Sequence, residues 1–116
     1  MIFSFLFCTQ EQKFISYTPV EFEALIKGDA SIQLVDVRRP EEYDAGHIEN
    51  AMLINVLDST FIDKAKTMLD ISKPVAVYCR SGKRSKDAAN KLARRGYKVL
   101  ELDSGYLGWV AYKEGK

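Results

Sequence analysis

The chain has 116 residues, of which 47% are hydrophobic, and 17 basic against 16 acidic side chains give it a net charge of +1. This is the composition of one soluble globular domain, and the net charge gives no argument for a nucleic-acid partner. Two cysteines and one histidine are too few for a disulfide framework and lack the clustered spacing of a zinc site. We therefore expect no metal, no cofactor and no nucleic-acid partner.

The N-terminal segment is the one stretch that resembles part of a leader. No apolar run approaches the ~20 residues of a membrane span. Residues 2–7 (IFSFLF) are too short for a signal-peptide core and follow no basic segment. We treat residues 1–12 as an N-terminal extension or the remnant of a truncated leader, and residues 13–116 as the domain. A cytoplasmic location is expected, with export or lipid anchoring as the alternative if residues 1–8 end such a leader.

Short β-rich runs alternate with helical patterns along the rest of the chain, which is typical of one α/β unit. In chain order, strands are predicted over residues 13–17, 32–37, 52–55, 75–79 and 97–102. Helices between and after them are predicted over residues 19–28, 40–43, 61–69, 86–93 and 106–112. We therefore predict an α/β fold with a central parallel sheet of about five strands flanked by helices.

Local signals mark several of these elements. A capping box starts at Thr18, with proline at the first helical position, and Gly28 supplies the stop of that helix. Residues 32–37 (IQLVDV) and 75–79 (VAVYC) have the almost continuous apolar character of strands covered on both faces. Trp109 is expected to anchor the last helix in the core.

A cysteine at the junction of a strand and a helix is the main candidate for chemistry. Cys79 ends an apolar strand, and the loop after it holds Gly82, so that backbone N–H groups can converge on one point. Such a nest, backed by a helix N-terminus, binds anions and favours a thiolate over a thiol. Arg80, Lys83 and Arg84 add three cationic side chains within five residues. Cys79 is therefore predicted to be a nucleophile, with a buried, inert cysteine as the alternative.

The near-neutral total charge conceals a local asymmetry. Residues 79–98 hold eight basic side chains and one acidic side chain, whereas residues 1–78 hold seven basic and twelve acidic ones. This cationic loop and helix indicate a small anionic substrate. The basic side chains beyond the loop form either a docking face for an acidic carrier protein or a solvated surface. They are Lys86, Lys91, Arg94, Arg95 and Lys98.

Three stretches of the sequence resemble the signature blocks of single-domain rhodaneses, sulfurtransferases that carry a persulfide on a loop cysteine. They are residues 35–56 (VDVRRPEEYDAGHIENAMLINV), 77–85 (VYCRSGKRS) and 102–109 (LDSGYLGW). The blocks follow the order of the family and span most of residues 32–109. The resemblance implies the rhodanese-like fold, whose central parallel sheet agrees with the predicted elements.

The resemblance also implies a mechanism of two displacements. The Cys79 thiolate attacks the outer sulfur of thiosulfate or a similar anionic donor, holds it as a persulfide, and passes it to cyanide or to a thiol acceptor, either a small molecule or a carrier protein. Anionic donor and anionic persulfide both suit a cationic loop with converging N–H groups. Cys79 is then the catalytic residue. The implied substrate-binding residues are Arg80, Ser81, Gly82, Lys83, Arg84 and Ser85.

Several further positions match or depart from the family pattern. Asp36 and Arg38 match its strand-end pair, and the resemblance implies that they support the loop; a surface ion pair is the alternative. His47 lies in a signature turn, where we expect a structural role. Ser104 and Gly105 stand where the family usually has two glycines, so we expect the backbone there to tolerate a side chain. For Ser85, capping of the helix that begins near Lys86 is expected, although its hydroxyl can also face the sulfur.

Three other functions compete with sulfur transfer. Phosphatases of this architecture have a longer loop than the four residues between Cys79 and Arg84, so phosphatase activity is not expected. A rhodanese-like module that binds or regulates partners without turnover is the alternative, although such modules commonly lack the cysteine. A redox thiol protein is disfavoured because the chain has no Cys-x-x-Cys pair.

Overall fold

The computed structural model describes residues 13–115, which contain five strands and five helices. The strands are β1 (Phe14–Tyr17), β2 (Gln33–Asp36), β3 (Met52–Leu53), β4 (Val75–Tyr78) and β5 (Val99–Leu102). The helices are α1 (Pro19–Gly28), α2 (Pro40–Ala45), α3 (Phe61–Met68), α4 (Lys83–Ala93) and α5 (Gly105–Lys113). Every predicted element is present in the predicted order, and the predicted α/β fold class is confirmed.

The expectations for the N-terminal segment lie outside the described residues. This holds for residues 1–12 as an extension or leader remnant, and for Cys8 as a lipid anchor. Within residues 13–115, none of the helices has the length and apolar character needed to cross a membrane.

All five strands are parallel, in the spatial order β1-β5-β4-β2-β3. From β2 the chain proceeds to β3 on one side, and from β4 it proceeds to β5 on the other side. The direction of winding therefore reverses between β2 and β4, and ligands of open α/β sheets bind in the crevice at such a point. Asp36 and Tyr78 are register partners, so the loops that follow β2 and β4 start side by side at this crevice.

Helices cover both faces of the sheet. α3 and α4 pack on one face, where Ala88, Ala89 and Leu92 of α4 are fully buried against strand valines. α1 and α5 pack on the other face, where the rings of Phe22 and Trp109 meet edge to face at 6.3 Å between centroids. Burial on both faces explains the almost continuous apolar character of β2 and β4. Trp109 has the predicted anchoring position.

The start of α4 differs from the prediction. The helix begins at Lys83, with Gly82 at the N-cap position, rather than near Lys86. Ser85 therefore lies inside the first turn, fully buried, and the prediction that it caps the helix is wrong. The physical reason is the left-handed φ of 108° at Gly82, which turns the chain into the helix directly after the loop.

The turn between β5 and α5 accommodates a side chain at Ser104, as expected. Ser104 has an ordinary backbone conformation, with φ −90° and ψ 0°. Its side chain occupies space next to Gly108, because a Cβ placed on Gly108 would lie 1.9 Å from Ser104 Oγ. That hydroxyl is buried and has no hydrogen-bond partner in the part of the chain that the structure describes. The absence of a side chain at Gly108 therefore makes room for Ser104.

We expect Gly108→Ala to destabilise the protein by about 1–3 kcal/mol, because the added methyl group collides with Ser104. With Ser104→Gly the same substitution should be neutral or stabilising, since alanine favours a helix over glycine. Urea unfolding of the wild type, both single variants and the double variant measures the coupling between the two positions. Additive effects would contradict the proposed contact.

Candidate active site

Cys79 follows β4 directly, and only 1% of its surface is exposed. Its sulfur accepts a hydrogen bond from the N–H of Gly82 at 3.1 Å. Gly82 is the N-cap residue of α4, so the sulfur lies at the positive end of that helix. Ser85 Oγ is 3.4 Å from the sulfur on the helix side. The strand end, loop amide and helix terminus thus meet at Cys79 as the sequence pattern indicates.

The backbone of the loop is held by the first turn of α5. The carbonyl of Cys79 accepts a hydrogen bond from the N–H of Tyr106 at 2.7 Å. The carbonyl of Arg80 accepts one from the N–H of Leu107 at 3.1 Å. Both bonds use N–H groups that an α-helix cannot satisfy internally. They therefore satisfy the first turn of α5 and fix the backbone of the loop at the same time.

Two glycines allow this close approach. Gly105 has a φ of 66°, and a Cβ there would lie 2.3 Å from the carbonyl oxygen of Arg80. A Cβ on Gly82 would lie 2.1 Å from the carbonyl oxygen of Asp103. Any other residue at either position would push the loop and the turn apart.

The three cations of the loop have different surroundings. Arg84 donates two hydrogen bonds to Glu42 of α2, at 2.7 and 2.9 Å. These bonds raise the pKa of Arg84 and lower the pKa of Glu42 to about 2. Arg80 and Lys83 are exposed, and neither side chain forms an ion pair with another residue between 13 and 115. The positive charge available to an anionic ligand is therefore that of Arg80 and Lys83.

Asp36 and Arg38 form a buried ion pair beside the loop. Their side chains are 0% and 5% exposed, and Arg38 donates to both carboxylate oxygens, with the shortest bond at 2.6 Å. Arg38 also donates to the carbonyl of Gly46 at 2.6 Å and lies 4.6 Å from the ring centroid of Tyr106. The alternative of a surface ion pair is therefore wrong. The pair links the end of β2 to the ends of α2 and α5 that surround the loop.

Glu101 of β5 is a residue that the sequence analysis missed. It is fully buried, and its Oε2 accepts a hydrogen bond from Ser85 Oγ at 2.5 Å. Its Oε1 accepts another from Ser16 Oγ at 2.6 Å, and Lys86 Nζ lies 3.3 Å from Oε2. Ser85 therefore stands between Glu101 and Cys79. In the sequence, Glu101 is the single carboxylate of an otherwise apolar strand, and this pattern could have indicated a buried functional group.

His47 lies apart from this group. Its ring stacks on Tyr43 at 3.7 Å between centroids, and its Nδ1 pairs with the carbonyl of Tyr43 at 2.9 Å. Its contacts are those of the structural turn that we expected. Among residues 13–115, no cluster of three or more His, Cys, Asp or Glu side chains is arranged to hold a metal ion.

The basic face of α4 is partly neutralised. Lys86 bonds to Asp103 at 2.8 Å, and Lys91 bonds to Asp87 at 2.8 Å. The remaining basic side chains of this face are exposed to solvent; they are Arg94, Arg95 and Lys98. Docking of an acidic carrier protein on this face stays a prediction.

The chain matches the family of Rhodanese-like domains over residues 18–112, and it belongs to that family. It is 33% identical to thiosulfate sulfurtransferase 18 of Arabidopsis thaliana, over 67% of this chain and 66% of that protein. The chain thus spans about two thirds of the length of this relative.

Solved structures share the fold. A rhodanese-related protein from Thermoplasma volcanium superposes with a TM-score of 0.72 at 29% identity, covering 88% of this chain and 94% of that one. The Rhodanese-like domain of an Anabaena sp. protein gives a TM-score of 0.73 at 29% identity, covering 84% of this chain and 74% of that one. Reduced CoADR-RHD of Bacillus anthracis gives 0.74 at 24% identity, with 86% of this chain matched to 17% of that longer one.

The pair of Arg84 and Glu42 predicts a pH-dependent contribution to stability. The pKa of Glu42 is lowered from 4.5 to about 2 on folding, so its ionised form stabilises the fold above about pH 5, and the contribution is lost as the pH falls toward 2. We expect Glu42→Gln to be less stable than the wild type at neutral pH, with a difference that shrinks below about pH 5.

Urea unfolding between about pH 3 and pH 7 measures this difference. Glu41→Gln is the matched control, because Glu41 is exposed and forms no ion pair within residues 13–115. A destabilisation by Glu42→Gln that stays constant over this pH range would contradict the assignment.

Proposed function

We propose that this rhodanese-like domain is a sulfurtransferase that carries a sulfane sulfur on Cys79. The observation that supports this most directly is the hydrogen bond from the Gly82 N–H to the Cys79 sulfur at the N-terminus of α4. An N–H donor and the positive end of a helix stabilise an anionic sulfur, whether thiolate or persulfide. Family membership and the similarity to a thiosulfate sulfurtransferase support the same chemistry.

The reaction proceeds by two displacements. The Cys79 thiolate attacks the outer sulfur of thiosulfate, and a bond forms between Sγ and that sulfur. The S–S bond of thiosulfate breaks, and its electron pair leaves with sulfite, so that Cys79 carries an anionic persulfide. Cyanide or an acceptor thiolate then attacks the outer sulfur, and Cys79 leaves as the thiolate.

The residues in and around the loop have different roles in the proposed reaction. Arg80 and Lys83 attract the donor, because their charges are exposed and unpaired within the part of the chain that is described. Arg84 holds the loop to α2 through Glu42. Gly82 contributes the backbone N–H that bonds the Cys79 sulfur, and we assign the Ser81 N–H to binding of the anionic donor. The buried pair of Asp36 and Arg38 supports the loop through its contact with Tyr106, whose N–H binds the Cys79 carbonyl.

Incubation with thiosulfate should add the mass of one sulfur atom to the protein, and cyanide should remove it. Cys79→Ser should gain no sulfur, because the proposed acceptor atom is gone, whereas Cys8→Ser should gain it as the wild type does. Intact-mass spectrometry after removal of free thiosulfate measures both. If the wild type takes no labile sulfur from thiosulfate, mercaptopyruvate or a persulfide-loaded protein, the binding-module alternative replaces the proposal.

The exposed cations predict a salt-sensitive use of the donor. Lys83→Gln and Arg80→Gln should each raise the KM for thiosulfate about two- to fivefold, as expected for an exposed charge worth about 0.5–1 kcal/mol. Each should also weaken the dependence on ionic strength, because charges are screened over about 10 Å at 0.1 M salt.

Steady-state transfer from thiosulfate to cyanide at several salt concentrations measures these effects. Lys98→Gln is the matched control, since Lys98 is an exposed cation that precedes β5. The cysteine loop follows β4, so the two lie at opposite ends of the parallel strands. A kcat/KM that does not change with salt in the wild type would remove the electrostatic part of the proposal.

A further inference from the structure

We propose that Ser85 and Glu101 form a proton relay to Cys79, through which Cys79 loses and recovers its proton inside the protein. The relay rests on the proposed sulfurtransferase function and makes Glu101 a positioning residue for it. It accounts for a buried carboxylate beside the sulfur, for which sulfur transfer by a preformed thiolate has no use.

The three groups form a continuous buried chain. The Cys79 sulfur is 3.4 Å from Ser85 Oγ, and Ser85 Oγ is 2.5 Å from Glu101 Oε2. Cys79, Ser85 and Glu101 are 1%, 0% and 0% exposed. A proton that leaves the sulfur therefore meets the Ser85 oxygen on the protein side of the site.

The direction of the hydrogen bonds links the states of Cys79 and Glu101. An ionised carboxylate only accepts hydrogen bonds, so Ser85 donates its single hydrogen to Glu101 and accepts the S–H of Cys79. A thiolate instead needs a donor. Ser85 can turn its hydrogen to the sulfur without losing the bond to Glu101 only when Glu101 is protonated. The hydrogen-bonded series of Cys79, Ser85 and Glu101 thus holds one mobile proton, which is bound either to Cys79 or to Glu101.

The proton transfer needs no group other than Cys79, Ser85 and Glu101. The S–H bond breaks and its proton binds Ser85 Oγ, while the hydrogen of Ser85 moves to Glu101 Oε2. The electron pair stays on the sulfur, and the charge of the three groups together stays at −1. The thiolate then accepts from both the Gly82 N–H and the Ser85 hydroxyl. When Cys79 leaves the persulfide as a thiolate, the same hydrogens move back.

Other charged and polar side chains lie around the relay. Lys86 of α4 lies 3.3 Å from Glu101 Oε2 and 2.8 Å from Asp103 Oδ1, so one ammonium serves two carboxylates. Ser16 of β1 donates to Glu101 Oε1. Arg84 of α4 is occupied by Glu42. Oε2 of Glu101 therefore accepts from both Ser85 and Lys86, and Ser85 is the group that lies between it and the sulfur.

The test is the pH dependence of alkylation of Cys79 by iodoacetamide, between about pH 5 and pH 10, read by mass spectrometry of the Cys79 peptide. It needs no sulfur donor, so its outcome is independent of the proposed sulfurtransferase activity. In the wild type we expect the rate to fall with decreasing pH and then to level off on a plateau. The plateau arises because, among molecules that hold this one shared proton, a fixed fraction carries it on Glu101 and therefore has a reactive thiolate at Cys79.

Glu101→Gln and Ser85→Ala interrupt the relay. In both variants the plateau should disappear, and the alkylation rate should fall about tenfold per pH unit across the range in which the wild type levels off. Where the wild type levels off, Ser85→Ala should react at least about tenfold more slowly, because it lacks the hydroxyl that donates to the thiolate. Glu101→Gln should react at least as fast as the wild type there, because it lacks the buried negative charge that opposes the thiolate. Ser85→Ala leaves the buried carboxylate in place, so it carries the test if circular dichroism shows that Glu101→Gln does not fold.

Asp103→Asn is the matched control. It removes a carboxylate that also bonds Lys86, but that side chain makes no hydrogen bond to Ser85 or Cys79. The plateau should remain in this variant. A wild type without a plateau, a plateau retained in Ser85→Ala, or a plateau lost in Asp103→Asn would overturn the proposal.

Discussion

The rest of the site depends on contact between two stretches of backbone, the cysteine loop and the turn that precedes α5. Amides of the first turn of α5 hold the carbonyls of Cys79 and Arg80, and Gly82 and Gly105 let the two chains meet without side chains between them. Main-chain atoms make all of these contacts, and the side-chain bonds of Arg84 to Glu42 add to them. The loop N–H groups are thereby held in fixed directions, which an anion-binding site requires.

Charges of opposite sign lie at different depths around the sulfur. Arg80 and Lys83 are exposed at the loop surface, whereas Glu101 is buried behind Ser85. In the proposed reaction, the exposed cations attract an anionic donor from the solvent, and the buried carboxylate of Glu101 accepts a proton. The sequence groups Arg84 with the other two cations, but its hydrogen bonds to Glu42 neutralise it and fasten the loop to α2.

The order of the elements and the position of Cys79 could be predicted from the sequence, because apolar runs, capping residues and glycines are local signals. The N-cap of α4 could not, since the Asp103 carbonyl, which leaves no room for a side chain at Gly82, comes from a distant part of the sequence. The burial of Asp36 with Arg38 and the role of Glu101 depend in the same way on which strands become neighbours. Strand order follows from the whole fold, and one sequence does not display it.

In the proposed sulfur transfer, the burial of Cys79 decides between two products. A sulfur atom bound to Sγ extends about 2 Å beyond it, on the side from which the donor approached. With 1% of Cys79 exposed, an incoming acceptor reaches the outer sulfur before it can reach Sγ. Attack at the outer sulfur releases an intact thiolate, whereas attack at Sγ would expel hydrosulfide and leave the acceptor tied to the protein as a mixed disulfide. Steric shielding of one sulfur by the protein therefore keeps the carrier from being consumed by its own acceptor.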